Sequence, residues 1–246
     1  MNSALREKIY TFFEREFADL LQGKIDSGYN LADFNIHPFN LVALASGVFG
    51  EANSKNMAKA LIYPRALGTS IVTSFGNKMQ KLCVSLLEAE PSGVPGMDFH
   101  FTDKVDGGKV FMQLKAGPNN INSGDVEPIL EEMRSAYRLL KTNMAGKKMP
   151  KFAMGIVYGT IEQISGSYKA IQNSSVGAQD NVPIFIGKDL WHRITGDTDF
   201  YFSLIDIFIE LFEGENYSKS LDRAINNLAK EIQDKYFVQG KFNPRA

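Results

Sequence analysis

The stretch that most constrains the fold is residues 97–117, which read MDFHFTDKVDGGKVFMQLKAG. Apolar and polar residues alternate in both halves of this stretch, and successive side chains of a strand point to opposite faces. The Asp-Gly-Gly sequence at 106–108 favours a turn, because glycine adopts positive φ without a steric penalty. The pattern predicts a β-hairpin that buries its apolar face and gathers Asp98, Gln113 and Lys115 on the opposite surface.

These three side chains are suited to the metal-assisted hydrolysis of a phosphodiester. A carboxylate is a hard oxygen ligand for Mg²⁺, and an amide oxygen is a weaker one. A bound metal polarises the phosphate and lowers the pKa of its water. A neighbouring lysine holds the attacking water or stabilises the charge that develops on the phosphate. The Gln-x-Lys spacing by itself also fits an edge hairpin with exposed polar residues.

With the residues around it, the hairpin resembles the core of the PD-(D/E)xK nucleases, and specifically the type II restriction endonucleases. Asp98 and Lys115 match the aspartate and the lysine of that motif. Gln113 stands where the family more often has an acidic residue. The resemblance covers residues 34–195, and its other specific stretches are residues 68–80, 155–159 and 184–191.

The resemblance implies an α/β fold with a restriction-endonuclease-like core, in which helices flank a mixed central sheet. The segments expected along the chain are a helical N-terminal region at 1–66, the nuclease core at 67–195 and C-terminal helices at 196–246. We expect these segments to pack as one compact domain. Residues 152–159 and 182–186 are almost entirely apolar, as is typical of central strands that are buried on both faces.

A helix that packs beneath the hairpin is expected within residues 69–90, which carry apolar residues near their end. In many nucleases of the family that this chain resembles, a glutamate from such a helix joins the metal site. Gln80, Glu88 and Glu90 are the candidates for that role here, and the sequence does not rank them.

Two polar stretches are candidates for contacts with DNA. The first follows Lys115 directly and is rich in asparagine, whose amide both donates and accepts hydrogen bonds. A turn followed by an N-cap, with Asp125 capping the next helix, explains this stretch equally well. The second lies in the long connection between residues 160 and 181, where Tyr168 and its polar neighbours suit base or phosphate contacts. The candidate DNA-binding residues are Asn119, Asn120, Asn122, Lys169, Gln172 and Asn173.

Composition excludes several other classes of protein. The net charge of −1 argues against nonspecific coating of nucleic acid, although a local basic cleft is compatible with it. The single cysteine, Cys83, excludes an internal disulfide and a cysteine-based zinc site, and it suits a reducing cytoplasm. No apolar run is long enough to span a bilayer, and the charged start of the chain does not resemble a signal peptide.

The sequence therefore predicts a type II restriction endonuclease that cuts double-stranded DNA at a short specific sequence with Mg²⁺. Asp98 and Gln113 are the expected metal ligands, and Lys115 is expected to orient the attacking water. The resemblance also implies a homodimer and a companion DNA methyltransferase; the apolar segment 200–212 is either a core helix or a dimer interface. The alternatives are a DNA repair or junction-resolving nuclease and a noncatalytic DNA-binding module on the same fold.

Overall fold

A computed structural model describes residues 1–26, 28–143, 148–213 and 217–243. It leaves out the side chains of Leu20, Lys24 and residues 67–74, so the first part of the family-like stretch at 68–80 lies outside the described side chains. The chain divides into two compact units. One unit contains Met1–Phe12 and Phe75–Ile209, and the other contains Phe13–Ser74 and Glu210–Ala246. These divisions differ from the segment boundaries expected at residues 66 and 195.

The first unit is built on a five-stranded mixed sheet whose strands lie side by side in chain order. The first two pairings in the sheet are antiparallel, and the last two are parallel. This mixed sheet with flanking helices confirms the predicted α/β architecture. The strands of this sheet are β1 Glu90–Pro91, β2 Phe99–Thr102, β3 Lys109–Lys115, β4 Lys151–Ile156 and β5 Ile184–Ile186.

Helices account for most of the remaining described residues. Short 3₁₀ turns occur at Leu31–Asp33 and Ile161–Gln163, and π-helical turns occur at Glu14–Ala18 and Pro64–Thr69. A second, two-stranded sheet near the end of the chain pairs β6 Phe237–Val238 with β7 Lys241–Phe242. The α-helices are α1 Ser3–Phe13, α2 Asp19–Asp26, α3 Pro38–Phe49, α4 Ser54–Tyr63, α5 Ser70–Leu86, α6 Ser123–Asn143, α7 Gly166–Gln172, α8 Lys188–Thr195, α9 Phe200–Glu213 and α10 Ser218–Tyr236.

The predicted hairpin is present as β2 and β3, with Phe99 opposite Met112. The expectation that its polar face would be a surface is wrong at Gln113, which is only 9% exposed, while Asp98 and Lys115 are half-buried. β3 continues the sheet by pairing in parallel with β4, where Gln113 lies beside Met154. Parallel strands are normally covered on both faces. Here the polar face of the hairpin shares its core with Ile129, Leu130 and Met133 of α6 and with Tyr168 and Ile171 of α7.

The helix expected within residues 69–90 is α5. It ends at Leu86, because Glu88 adopts a left-handed conformation with φ 59° and the amides of Leu87 and Ala89 both donate to the carbonyl of Cys83. The connection at 160–181 is not a structureless loop, since it contains α7 and the buried side chain of Val176.

The second unit is a helical assembly in which α4 packs against α3 and α10. Its helix starts follow ordinary capping rules: His37 accepts from the amide of Asn40 at the start of α3, and Asn53 accepts from the amide of Asn56 at the start of α4. None of the described helices is long and apolar enough to cross a membrane. The core of this unit includes Leu41, Ala45, Met57, Ile62, Ile225, Leu228 and Ile232.

Candidate active site

Asp98 is fixed at the start of β2 by two bonds to the neighbouring strand. Its amide donates to the carbonyl of Met112 at 2.9 Å, and its Oδ2 accepts from the amide of Leu114 at 2.6 Å. These two bonds attach Asp98 to the residues on either side of Gln113. Burial raises the pKa of the Asp98 carboxyl above its ordinary value, although the Leu114 bond and the nearby Lys115 oppose that rise. A carboxyl group whose pKa is shifted by burial and by specific charged neighbours is typical of a functional site.

Gln113 lies in the middle of β3 and points into the layer between the sheet and α6. Its Nε2 donates to Oε2 of Glu132 at 2.9 Å. Its Oε1 is buried and accepts no hydrogen bond from the described residues. A buried oxygen without a partner costs free energy, so this atom is a position at which a cation or another donor would be stabilised.

Glu132 is the site residue that the sequence analysis missed. It lies on α6 and reaches Gln113 across 19 positions of the sequence, and its charge contributes to the raised pKa of Asp98. Gly96 approaches it closely: a β-carbon at Gly96 would lie 2.6 Å from the Glu132 Cβ, and Gly96 has a φ of +81°. A signal was present in the sequence, because Glu132 is three residues after Ile129 and four before Ala136, so this exposed residue borders the buried stripe of α6.

Lys115 ends β3, and its side chain is half-buried beside Asp98. The carbonyl of Lys115 accepts from the amide of Val157 at 3.0 Å, which ties the end of β3 to the residue that follows β4. Its ammonium forms no hydrogen bond or ion pair with the residues that the structure describes. A positioned and uncommitted cation next to a carboxylate is available for a substrate phosphate or an attacking water.

The oxygen atoms at this site suit a hard divalent cation. No cluster of three or more His, Cys, Asp or Glu side chains that could hold a metal occurs among the described residues. The candidate donor set is instead two carboxylates, Asp98 and Glu132, together with the amide oxygen of Gln113, which accepts no hydrogen bond from the described residues. Mg²⁺ is commonly bound by one or two carboxylates together with substrate phosphate and water, so the residues present fit this ion.

The class of protein follows from the family that the chain matches. The family model of the type II restriction endonuclease EcoO109I matches residues 2–212 of the chain. The chain belongs to this restriction endonuclease family. The predicted resemblance to type II restriction endonucleases is thereby confirmed. No curated protein matches the chain in sequence.

The three candidates for a helix ligand occupy different places in this restriction endonuclease. Gln80 donates through Nε2 to the main-chain carbonyl of Asp98 at 3.3 Å, so it supports the site from beneath. Glu88 pairs with Lys104 at 3.1 Å, and Glu90 lies in β1 with its carboxylate 3.7 Å from Nε2 of His100. Neither glutamate is bonded to Asp98, Gln113 or Lys115 in the described structure, whereas Glu132 is bonded to Gln113.

The asparagines after Lys115 divide into two groups. Asn122 caps α6: its Oδ1 accepts from the amide of Gly124 at 2.7 Å, and its own amide donates to Oδ2 of Asp125 at 2.8 Å. The alternative to DNA contact had Asp125 as the helix cap; in the structure Asn122 is the cap, and Asp125 bonds back to it from the first turn of α6. Asn119 and Asn120 are exposed in the segment that follows β3, and their role in DNA binding stays a prediction.

The polar residues of α7 are close to the core rather than on a free loop. Tyr168 is fully buried and donates to the carbonyl of Gly117 at 3.1 Å, so its predicted contact with DNA bases is wrong. Burial also raises the pKa of its hydroxyl. Lys169 and Asn173 are exposed and Gln172 is half-buried; their contact with DNA stays a prediction.

Proposed function

We propose that this restriction endonuclease hydrolyses phosphodiester bonds of double-stranded DNA at a short specific sequence and depends on Mg²⁺. The observation that carries the proposal is the buried Oε1 of Gln113, which accepts no hydrogen bond from the described residues, on a side chain that also donates to Glu132, whose charge acts on Asp98. Asp98, Gln113 and Glu132 would hold the ion. When bound, Mg²⁺ supplies Lewis-acid polarisation of the phosphate and lowers the pKa of a coordinated water.

The residues of the chain would then perform the remaining work. Lys115 donates a hydrogen bond to the attacking water and places its positive charge beside the phosphate oxygens, where charge develops in the transition state. The oxygen of the attacking water bonds to phosphorus as the bond between phosphorus and the leaving oxygen breaks. The water gives up one proton to solvent, and the leaving oxygen takes up a proton from solvent. The amide of Leu114 holds the Asp98 carboxylate in one orientation, which keeps the site organised before DNA arrives.

A homodimer is part of this proposal, because cutting both strands of a symmetric site requires two active sites. α9 offers a surface for it. Phe202, Ile205 and Ile209 are 49%, 39% and 48% exposed, and their spacing of three and four residues places them on one face of the helix. A companion methyltransferase that protects the same DNA sequence also belongs to the proposal and follows from the family.

The alternatives make different predictions. Gln113, which replaces the usual acidic residue, favours a noncatalytic DNA-binding module, but Glu132 supplies a second carboxylate at the same place. Incubation of plasmid DNA with the purified protein and Mg²⁺ separates the possibilities. A restriction enzyme gives discrete fragments that disappear with a chelator, and a junction-resolving nuclease cuts only branched DNA. Intact DNA of every kind, with Mg²⁺ present, would contradict the nuclease assignment.

A further inference from the structure

Gly117, two residues after Lys115, is closely approached by two polar side chains. A β-carbon at Gly117 would lie 2.4 Å from the hydroxyl oxygen of Tyr158 and 2.8 Å from Oδ1 of Asn120. Both side chains therefore approach within a distance that only glycine permits. Two polar groups thus lie against the main chain directly after β3.

Hydrogen bonds from several directions hold the segment around Gly117 in place. The carbonyl of Gly117 accepts from the buried hydroxyl of Tyr168, and the carbonyl of Lys115 accepts from the amide of Val157, the residue before Tyr158. The indole of Trp191 donates to the carbonyl of Val157 at 3.0 Å. These bonds hold Tyr158 and the end of β3 in one arrangement.

Tyr158 itself is open to solvent. Its side chain is 47% exposed, and its ring is held edge-on to Phe75 with 6.4 Å between ring centroids. Its hydroxyl forms no hydrogen bond with the described residues. An exposed tyrosine with a supported ring and an uncommitted hydroxyl, at the carboxyl end of a parallel strand, is placed as a binding group.

We infer that the Tyr158 hydroxyl, which lies against Gly117, donates a hydrogen bond to a DNA backbone phosphate that neighbours the scissile one. Lys115 ends β3, which lies beside β4. A duplex whose scissile phosphate lies at Lys115 therefore brings the next phosphates of the same DNA strand to the end of β4. Tyrosine hydroxyls are ordinary phosphate donors, and such contacts fix the register of the duplex. This inference rests on the proposed function and adds a positioning contact to it.

The test is a double-mutant cycle that combines removal of the Tyr158 hydroxyl with removal of the charge on a single DNA phosphate. Wild type and Tyr158→Phe are compared on duplexes that contain the cleavage site mapped with wild-type protein. Each duplex carries one uncharged methylphosphonate at a position flanking the cut. On unmodified DNA, Tyr158→Phe should cut about tenfold more slowly, as for the loss of a hydrogen bond to a charged group. At one methylphosphonate position, the two proteins should cut at the same rate, because the contact is absent in both.

Equal cleavage of unmodified DNA by the two proteins overturns the inference. So does a difference that persists at every methylphosphonate position, since the hydroxyl would then contact a base or act only on the fold. If wild type cuts no DNA, the proposed function fails instead, and the two failures are thereby distinguished.

A second variant approaches the same contact from the glycine. Gly117→Ala should displace Tyr158 and Asn120, reproduce the loss of cleavage and remove the sensitivity to the same methylphosphonate. Gly166→Ala is the matched control, because a β-carbon there has nothing within 4 Å, and it should cut as wild type does. Gly117→Ala that keeps full sensitivity to that phosphate would overturn the inference.

Discussion

Lys115 is the residue whose loss should separate DNA binding from DNA cleavage. Its ammonium is uncommitted in the described structure, so it is available to act in the transition state. Lys115→Ala should reduce the cleavage rate by about 10²–10⁴-fold and leave DNA binding nearly intact. The measurement pairs single-turnover cleavage with a binding titration in Ca²⁺. Lys109→Ala, at the other end of β3, is the control and should keep its cleavage rate; a folded Lys115→Ala protein that cuts at the wild-type rate contradicts the assignment.

Gln113 should set the concentration of Mg²⁺ that cleavage requires. Gln113→Ala removes the unpartnered Oε1, so half-maximal cleavage should need a higher Mg²⁺ concentration. The measurement is the cleavage rate against Mg²⁺ concentration for both proteins. Superimposable curves would show that Gln113 is not a ligand, and Asp98 and Glu132 alone would then remain as the protein ligands.

Gln113→Glu tests the same site with the opposite change in charge. The new carboxylate would stand where the Gln113 amide now donates to Glu132, and like charges at that separation raise the pKa of one of the two groups. We therefore expect this variant to be less stable than wild type without metal, to gain more stability from Mg²⁺, and to keep cleavage. Thermal unfolding with and without Mg²⁺ measures the difference, and an equal gain in both proteins would contradict it.

Asp98 should make the free protein less stable at neutral pH, because its pKa in the folded state is raised chiefly by burial. Between the unfolded value of about 4 and the raised folded value, the native state binds more protons, so the stability of wild type falls as pH rises through that window. Asp98→Asn removes this loss and can still accept from the Leu114 amide. The variant should be more stable at neutral pH, and its advantage should vanish at low pH.

Thermal unfolding of wild type and Asp98→Asn across pH measures this difference, and added Mg²⁺ provides the functional counterpart. Because metal binding requires the ionised carboxylate, Mg²⁺ should stabilise wild type and leave Asp98→Asn unchanged. An advantage of the variant that grows as pH falls would contradict the raised pKa.

At the scale of elements, α6 completes the site by passing close to the loop before β2. The contact is made at Gly96, where a β-carbon would lie 2.6 Å from the Glu132 Cβ and the backbone φ is +81°. Gly96→Ala combines a disfavoured backbone conformation with a clash, and it should destabilise the protein by about 1–3 kcal/mol. Because it also moves Glu132, cleavage should require more Mg²⁺.

Gly93→Ala is the matched control for this prediction. Gly93 lies in the same loop, and a β-carbon there has nothing within 4 Å. Denaturant unfolding and the Mg²⁺ dependence of cleavage are measured for both variants. If Gly96→Ala behaves like Gly93→Ala in both measurements, the loop does not position Glu132.

At the scale of the whole molecule, the exposed stripe on α9 carries the prediction about assembly. Ile205 is central in that stripe, between Phe202 and Ile209, and a buried charge without a partner at an interface is strongly unfavourable. We expect wild type to sediment as a dimer and Ile205→Glu to sediment as a monomer. Ile161→Glu, at a similarly exposed isoleucine outside the stripe, should remain a dimer. A dimeric Ile205→Glu protein would place the interface elsewhere, and a monomeric wild type would contradict the homodimer.

The sequence by itself determined the hairpin and the residues it carries. Alternation along β2 and β3 and the Asp-Gly-Gly turn are local properties, and they were sufficient to bring Asp98, Gln113 and Lys115 together. The order of helices and strands after the hairpin could also be predicted, because apolar residues at helical spacing indicate helices and short apolar runs indicate buried strands. These features carried the resemblance to the restriction endonucleases that the family match confirmed.

Tertiary structure decided which partners these residues have. Glu132 joins Gln113 only because α6 crosses the sheet, and no local spacing specifies where a helix crosses. Glu88 and Glu90 leave the site because one left-handed residue ends α5 and redirects the chain into β1. Tyr168 is a core residue because α7 packs on the sheet. In each case a short segment is compatible with several surroundings, and the packing of distant segments selects one of them.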